Sequence, residues 1–291
     1  MLLGVPNFSE GRDAGLIERI TAQFTAGAEI LDSHTDAVHN RTVLTLAAPP
    51  RRLGEALVRG AGACAATIDM QRHEGAHPAV GSLDVCPVVW IQEGDREAAR
   101  DEALAVAGAL GDDGIPVFLY GELASSEERR ERAFFRRGGL AVLGEKLATG
   151  ELKPDRGPDA PHPRAGATLV TARRPLAAFN VMLQDVGLET ARDIAAQLRE
   201  SGGGLPGVRA IAIDLGERGI QISTNVHDPV AVPLADVVQR ISELAEPHAA
   251  APAEAEIVGL VPDAALAGFP EDLPIPGFDR ERQTLERRLG S

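Results

Sequence analysis

Cysteine is scarce. Cys64 and Cys86 are the only two in 291 residues, both lie among apolar neighbours, and no C-x-x-C spacing occurs. That excludes a disulfide-stapled scaffold or a cysteine-rich zinc site, and it predicts buried, reduced thiols in a cytoplasmic protein. Long apolar runs are also missing, and no stretch approaches the roughly 20 residues that a membrane-spanning helix needs. Met1-Leu2-Leu3-Gly4-Val5-Pro6 has no basic region ahead of an apolar segment, so neither export nor membrane anchoring is expected. Cations are outnumbered, 29 Lys and Arg against 43 Asp and Glu, for a formal net charge of −14. No field of this sign draws in phosphate backbones, and no dense basic cluster is interleaved with aromatics, so nucleic acid is not an expected partner. An acidic chain that takes an acidic ligand must gather its cations locally, which gives weight to individual arginines near a site.

What is present is ordinary for a folding chain: 44% hydrophobic and 25% charged residues, enough for one large domain or two of usual size. Hydrophobic period read against breakers predicts strand near 1–6, helix 13–26, strands 28–33 and 42–48, helix 51–70 and strand 83–90, the order βαββαβ. Leu16, Ile17, Ile20 and Phe24 give the first helix one apolar face, with Ser9 and Asp13 as candidate caps. A helix near 95–110, a strand at 116–120 and a helical pattern over 124–148 follow. Residues 150–165, with four prolines and two glycines, deny regular structure and mark a loop or lobe boundary. Beyond it come strands 166–172 and 177–184, helix 188–201, strands 208–214 and 219–226, helix 233–245 and strand 255–261. A short helical pattern from Arg280 to Leu289 is expected to dock back. The expected class is α+β: two ferredoxin-like βαββαβ sandwich lobes, 1–165 and 166–291, with helices on one face of each mixed sheet and the free faces lining a central cleft.

The most distinctive stretch is Asp69-Met-Gln-Arg-His-Glu-Gly-Ala-His-Pro-Ala-Val-Gly-Ser-Leu-Asp-Val-Cys86. His73-Glu74-Gly75-Ala76-His77 matches H-E-x-x-H, which binds zinc only when both histidines project from one helix. Gly75 weakens a helix and Pro78 disfavours helical geometry at His77, so a zinc hydrolase is not expected. His77 lies instead between Gly75 and Gly81, ahead of Pro78, in a constrained loop of the kind that positions reacting groups. A solvated or backbone-bonded histidine is the bland alternative.

Val5-Pro-Asn-Phe-Ser-Glu-Gly11, His39-Asn-Arg-Thr-Val43, Ile68-Asp-Met70, Gly75-Ala-His-Pro78 and Leu83-Asp-Val-Cys-Pro87 together resemble the formiminotransferase domain of formiminotransferase-cyclodeaminase and its single-domain bacterial relatives. The likeness continues through Val117-Phe-Leu-Tyr-Gly121, the loop from Gly157 to Thr168, Ala178-Phe-Asn180, Ser223-Thr-Asn225 and Val258-Gly-Leu-Val-Pro262. It implies transfer of a formimino group from N-formimino-L-glutamate to tetrahydrofolate as co-substrate, with no metal, by a protein that is often a homodimer. The family's catalytic histidine falls on His77; an imidazole with an ordinary pKa near 6.5 can take a proton from the attacking amine and return one to the leaving amine.

The likeness also implies a folate-binding loop carrying Gly157, Pro158, Asp159, His162, Arg164 and Gly166, with a surface linker as the alternative. Arg41 can clamp a substrate carboxylate or pair with Asp32 or Asp36. Asp36 and His39 can orient it or stand solvated, and Asn7 and Asn40 can meet ligand or cap turns. Two positions depart from the family pattern: Ala79 stands where an arginine is usual and Val88 where a phenylalanine is. That leaves open a related donor such as N-formylglutamate, 5-formyltetrahydrofolate as the folate partner, or a folate binder without turnover. The cyclodeaminase domain is expected to be a separate protein.

Overall fold

In the computed structural model, which describes residues 1–76 and 78–290, the first strand is split by Val5-Pro6 into β1 (Leu2–Gly4) and β2 (Asn7–Phe8). Both halves lie between β4 (Arg41–Ala48) and β5 (Leu83–Trp90), antiparallel to each. β3 (Glu29–Asp36) pairs with the outer side of β4, while β6 (Val117–Leu119) and β7 (Thr168–Arg173) extend the other edge, β7 running parallel to both β5 and β6. The result is a mixed seven-stranded sheet.

On one face lie α1 (Ala14–Thr25), α2 (Arg52–Thr67) and α3 (Arg96–Asp112). Asp13 caps α1 by accepting from the Leu16 backbone N–H at 2.9 Å, and Ile20 and Phe24 from its apolar face are fully buried. Phe24 fits because residue 60 on α2 is glycine: a Cβ there would stand 2.1 Å from its ring, so α1 and α2 pack at glycine distance. No side chain of α2 caps its own start; Glu102 on α3 does so, accepting from the backbone N–H groups of Arg51 at 2.9 Å and Gly54 at 2.6 Å, an anion at the positive end of a helix.

The helical pattern over 124–148 divides into a short 3-10 turn, α4 (Arg132–Arg136) and α5 (Gly139–Thr149). Gly138 and Gly139 both have positive φ, 83° and 73°, conformations that end one helix and start another. Phe135 of α4 and Leu143 and Leu147 of α5 pack with Val85, Phe118, Tyr120 and Leu169. That is the sheet face opposite α1–α3, so helices cover part of both faces here, where the sequence suggested one.

The first compact unit runs to Arg173. The sequence reading divided the chain after residue 165 and gave the strand that follows to the second lobe; its parallel pairing with β5 and β6 puts it in the first sheet.

The second unit, from Arg174 on, has β8 (Ala177–Gln184), α6 (Leu188–Leu198), β9 (Val208–Asp214), β10 (Ile220–Val226), α7 (Leu234–Ala245) and β11 (Ala251–Val258). Its sheet order is β11-β8-β10-β9, and every neighbour is antiparallel rather than mixed. α6 and α7 bury Ile194, Leu198, Val237 and Ile241 against Phe179 and Ile222. The tail does dock: α8 (Arg280–Gln283) and α9 (Leu285–Leu289) are tied on by Leu285 N–H to Val261 O at 3.0 Å and by a two-pronged Arg280–Asp263 ion pair at 2.6 and 2.9 Å. No helix among the described residues is long and apolar enough to cross a membrane.

Candidate active site

The loop between α2 and β5 is fastened on both sides of position 77. Upstream, Asn40 occupies the β3–β4 turn with φ of 49°, a conformation asparagine tolerates better than most residues. Its Oδ1 accepts from Gly11 N–H at 2.9 Å, and its Nδ2 donates to Glu74 O at 2.9 Å and lies 3.4 Å from His73 Nδ1. Ala76 N–H donates to Val38 O at 3.0 Å, and a Cβ at Gly75 would lie 2.3 Å from His39 O, so the loop backbone seats on the hairpin only with glycine there. Downstream, Val80 N–H donates to Asp84 Oδ1 at 2.9 Å, and Ala167 N–H to Val80 O at 2.9 Å. His77 itself lies outside the described residues. Residues 73–76 are irregular rather than helical, so the H-E-x-x-H match lacks the helix its chemistry requires.

Asp84 is placed by a β-bulge. Asn7 pairs with Val85 and Phe8 with Leu83, which leaves Asp84 as the extra residue, and a bulge of this kind re-aims a side chain. Its second oxygen meets the Arg136 guanidinium of α4. Strand alternation puts Asn7, Arg41, Tyr120 and Arg173 on this same face, because Phe8, Leu119 and Ala172 beside them in sequence, and Leu44 three positions past Arg41, point into the opposite core.

Arg41 donates through Nε to Asn7 Oδ1 at 3.0 Å and through Nη2 to the same oxygen, while Asn7 Nδ2 is held by Val5 O at 2.7 Å. Asparagine 7 is therefore the partner of Arg41, and neither Asp32 nor Asp36 is. Arg132 of α4 lies over the Tyr120 ring at 5.9 Å. Burial pushes the Arg41 guanidinium down to about 9; Asp84 opposes that, while Arg136 and Arg132 add to it. Burial likewise lowers Arg132, with Tyr120 opposing and Arg136 adding, and brings Arg173 to about 10. All stay charged at neutral pH; burial is the largest cause of each shift, and a neighbouring guanidinium adds to it in every case.

Burial would raise the Asp36 carboxyl, but hydrogen bonds from the His39 side chain and from the His39 and Val38 N–H groups hold it far below the usual carboxylate range. Its ring partner stands at 3.1 Å. This pair shapes the turn that presents Asn40 and Arg41. His73 is half-buried, and burial lowers its pKa, with Asp84 and Glu10 opposing.

The residues of the predicted folate loop separate into two groups. His162 Nδ1 accepts from the N–H groups of Arg164 at 3.2 Å and Ala165 at 2.9 Å. Gly166, with φ of 73°, lies so close to Val80 O that a Cβ would be 2.3 Å from it, and Met70 N–H donates to Arg164 O at 2.8 Å. This end of the loop is zipped onto the Met70–Ser82 segment, with the Arg164 side chain exposed. Gly157 sits elsewhere, against Ile115 O and Gly111 near the end of α3; its packing alone demands glycine. Pro158 and Asp159 beside it are exposed.

Sequence reasoning overlooked Asp84, Tyr120, Arg132 and Arg136. The signal was available, and the reading that no dense basic cluster is interleaved with aromatics missed it: Arg129, Arg130, Arg132, Arg136 and Arg137 crowd nine positions around Phe134 and Phe135 in a chain with net charge −14. Among the described residues no group of three His, Cys, Asp or Glu side chains is arranged to hold a metal ion. Cys64 and Cys86 are buried free thiols, and burial pushes Cys86 up to about 12.

Residues 1–173 match the N-terminal subdomain of the formiminotransferase domain, and residues 178–269 match the formiminotransferase domain model that follows it. The chain is 36% identical to a glutamate formimidoyltransferase of Streptococcus pyogenes over 98% of its own length and 97% of that protein's. It is 35% identical to one from Thermoplasma acidophilum over 98% and 96%. A formimidoyltransferase-cyclodeaminase of Sus scrofa is 38% identical over 90% of this chain, which spans 50% of that longer protein. With both subdomains matched in order and full-length relatives aligned nearly throughout, the chain belongs to the formiminotransferase domain family.

Proposed function

We propose that the protein transfers the formimino group of N-formimino-L-glutamate to N5 of tetrahydrofolate, releasing L-glutamate and 5-formiminotetrahydrofolate. The observation that carries this reading is the near-complete alignment with relatives named glutamate formimidoyltransferase. N5 attacks the amidine carbon and a new C–N bond forms. His77 takes the N5 proton, the glutamate nitrogen gains a proton, and its bond to that carbon breaks. Nothing is oxidised or reduced.

Support for His77 in this role comes from its neighbours. Ala76 and Val80 are fastened on either side of it, and positioning a base converts binding into orientation of the reacting atoms. Asn40 and the Asp36–His39 pair hold the hairpin beneath the loop, and Arg41, with Asn7, turns a cation toward the same face. His162 and Gly166 shape the loop in which Arg164 would meet folate. The assembly we infer is a cytoplasmic homodimer, which sedimentation of the purified protein checks.

The test is tetrahydrofolate-dependent release of glutamate from formiminoglutamate. Turnover of formiminoglutamate supports the reading. Turnover of N-formylglutamate alone supports the related-donor reading, which Ala79 favours: its half-buried methyl packs against the first core, with no cation in its place.

A further inference from the structure

We propose that Arg132 on α4 forms, with Arg41, a cradle for a carboxylate of a bound glutamate moiety. The inference rests on the proposed function for its substrates. Its geometry does not.

Three guanidiniums, of Arg41, Arg132 and Arg136, share the sheet face on which the bulge at Asp84 opens. Asp84 is spent on Arg136 and on Val80 N–H. Asn7 is neutral and spent on Arg41 and Val5 O. Arg132, half-buried, has the Tyr120 ring beneath it and, among the described residues, neither a hydrogen bond nor an ion pair. Arg136 Nε is buried without a hydrogen-bond partner.

A partly buried cation with no hydrogen-bonded carboxylate is held at a desolvation cost that a bound anion would offset. The planar fork of arginine suits a carboxylate in particular. Leu143 and Leu147 of α5, packed with Phe135 beneath α4, fix the helix that carries Arg132, so the cradle is rigid on its far side.

A glutamate carboxylate reaches this enzyme from two sources, the formimino donor and the tail of the folate, and kinetics separates them. Arg132→Gln is made with Arg132→Lys beside it, and KM is measured for formiminoglutamate, for tetrahydrofolate and for tetrahydropteroate, which has no glutamate. A tenfold or greater rise in KM for formiminoglutamate alone, partly restored by lysine, with kcat within a few-fold of wild type, supports the cradle and assigns it to the donor. A rise for tetrahydrofolate that tetrahydropteroate does not show supports it and assigns it to the folate tail. No change beyond twofold in any KM, in a glutamine variant that melts as the wild type does, overturns it.

Calorimetric titration with L-glutamate needs no turnover. Were the wild type to process no formimino or formyl donor, the proposed function would fail, while binding of L-glutamate that weakens at least tenfold in Arg132→Gln would still uphold the cradle. Equal binding by both proteins would overturn it.

Discussion

Asn40 joins three segments that are distant in sequence, and the cost of removing it can be worked out. Asn40→Ala takes the acceptor from the buried Gly11 N–H and the donor from Glu74 O. The first loss costs about 1–3 kcal/mol; the second is small because water can reach that carbonyl. Alanine at positive φ adds about 1–2 kcal/mol. The sum is about 3 kcal/mol. Asn40→Gly escapes the backbone penalty and should cost about 2 kcal/mol. Asn40→Asp keeps the acceptor for Gly11, loses the donor to Glu74, and should cost about 1 kcal/mol.

The single tryptophan, Trp90, is buried in the first unit, so its fluorescence reports that unit's melting. At roughly 2–4 °C per kcal/mol, the alanine variant should melt about 6–12 °C below wild type, with glycine and aspartate in order between them. Because the loop carrying His77 loses its upstream fastening, kcat should fall at least tenfold in the alanine variant, as expected when a reacting group is misplaced by about 1 Å. Melting within 1 °C of wild type for both Ala and Gly, or an aspartate variant as unstable as alanine, would refute the anchoring role.

Asp36 has a folded-state pKa below its unfolded value, so its stabilisation is complete above about pH 4 and is lost as pH falls through the lower folded value; the stability gap between wild type and Asp36→Asn should hold from neutral pH to about 4 and close in more acid, as acid titration of Trp90 fluorescence would record. Gly62 is exposed within α2 with nothing near its absent Cβ, so Gly62→Ala should raise stability by about 0.5–1 kcal/mol. Gly166→Ala should lower it by more than 1 kcal/mol and reduce turnover, since it strains the backbone and pushes on Val80 O. Burial keeps both thiols protonated, so neither should react with Ellman's reagent until denaturant is added.

The repeated element order was legible because amphipathic periods and breakers are local. The Leu16–Phe24 stripe, its Asp13 cap and the alternation along β4 carried it. The place of β7 was not local: a strand just beyond a proline-rich loop reads as a new start, and only its pairing with β5 assigns it to the first sheet. The break at Gly138-Gly139 was visible as two glycines, but an unbroken apolar period on either side concealed it.

Much the same holds at the site. Asn7, Asn40 and Arg41 were found through resemblance, and the structure gives them partners that spacing alone does not. Asp84 escaped notice because a carboxylate among Leu83, Val85 and Cys86 reads as a strand residue until the bulge turns it. Arg132 and Arg136 escaped because α4 is only five residues long, too short for a period.

The proposed reaction needs His77 to take the proton from N5. Tetrahydrofolate-dependent glutamate release should fall by about 10²–10⁴ in His77→Ala, with tetrahydrofolate binding within a few-fold of wild type and with His73→Gln nearly unaffected. Activity in His77→Ala within a few-fold of wild type, or a comparable loss in His73→Gln alone, would contradict it.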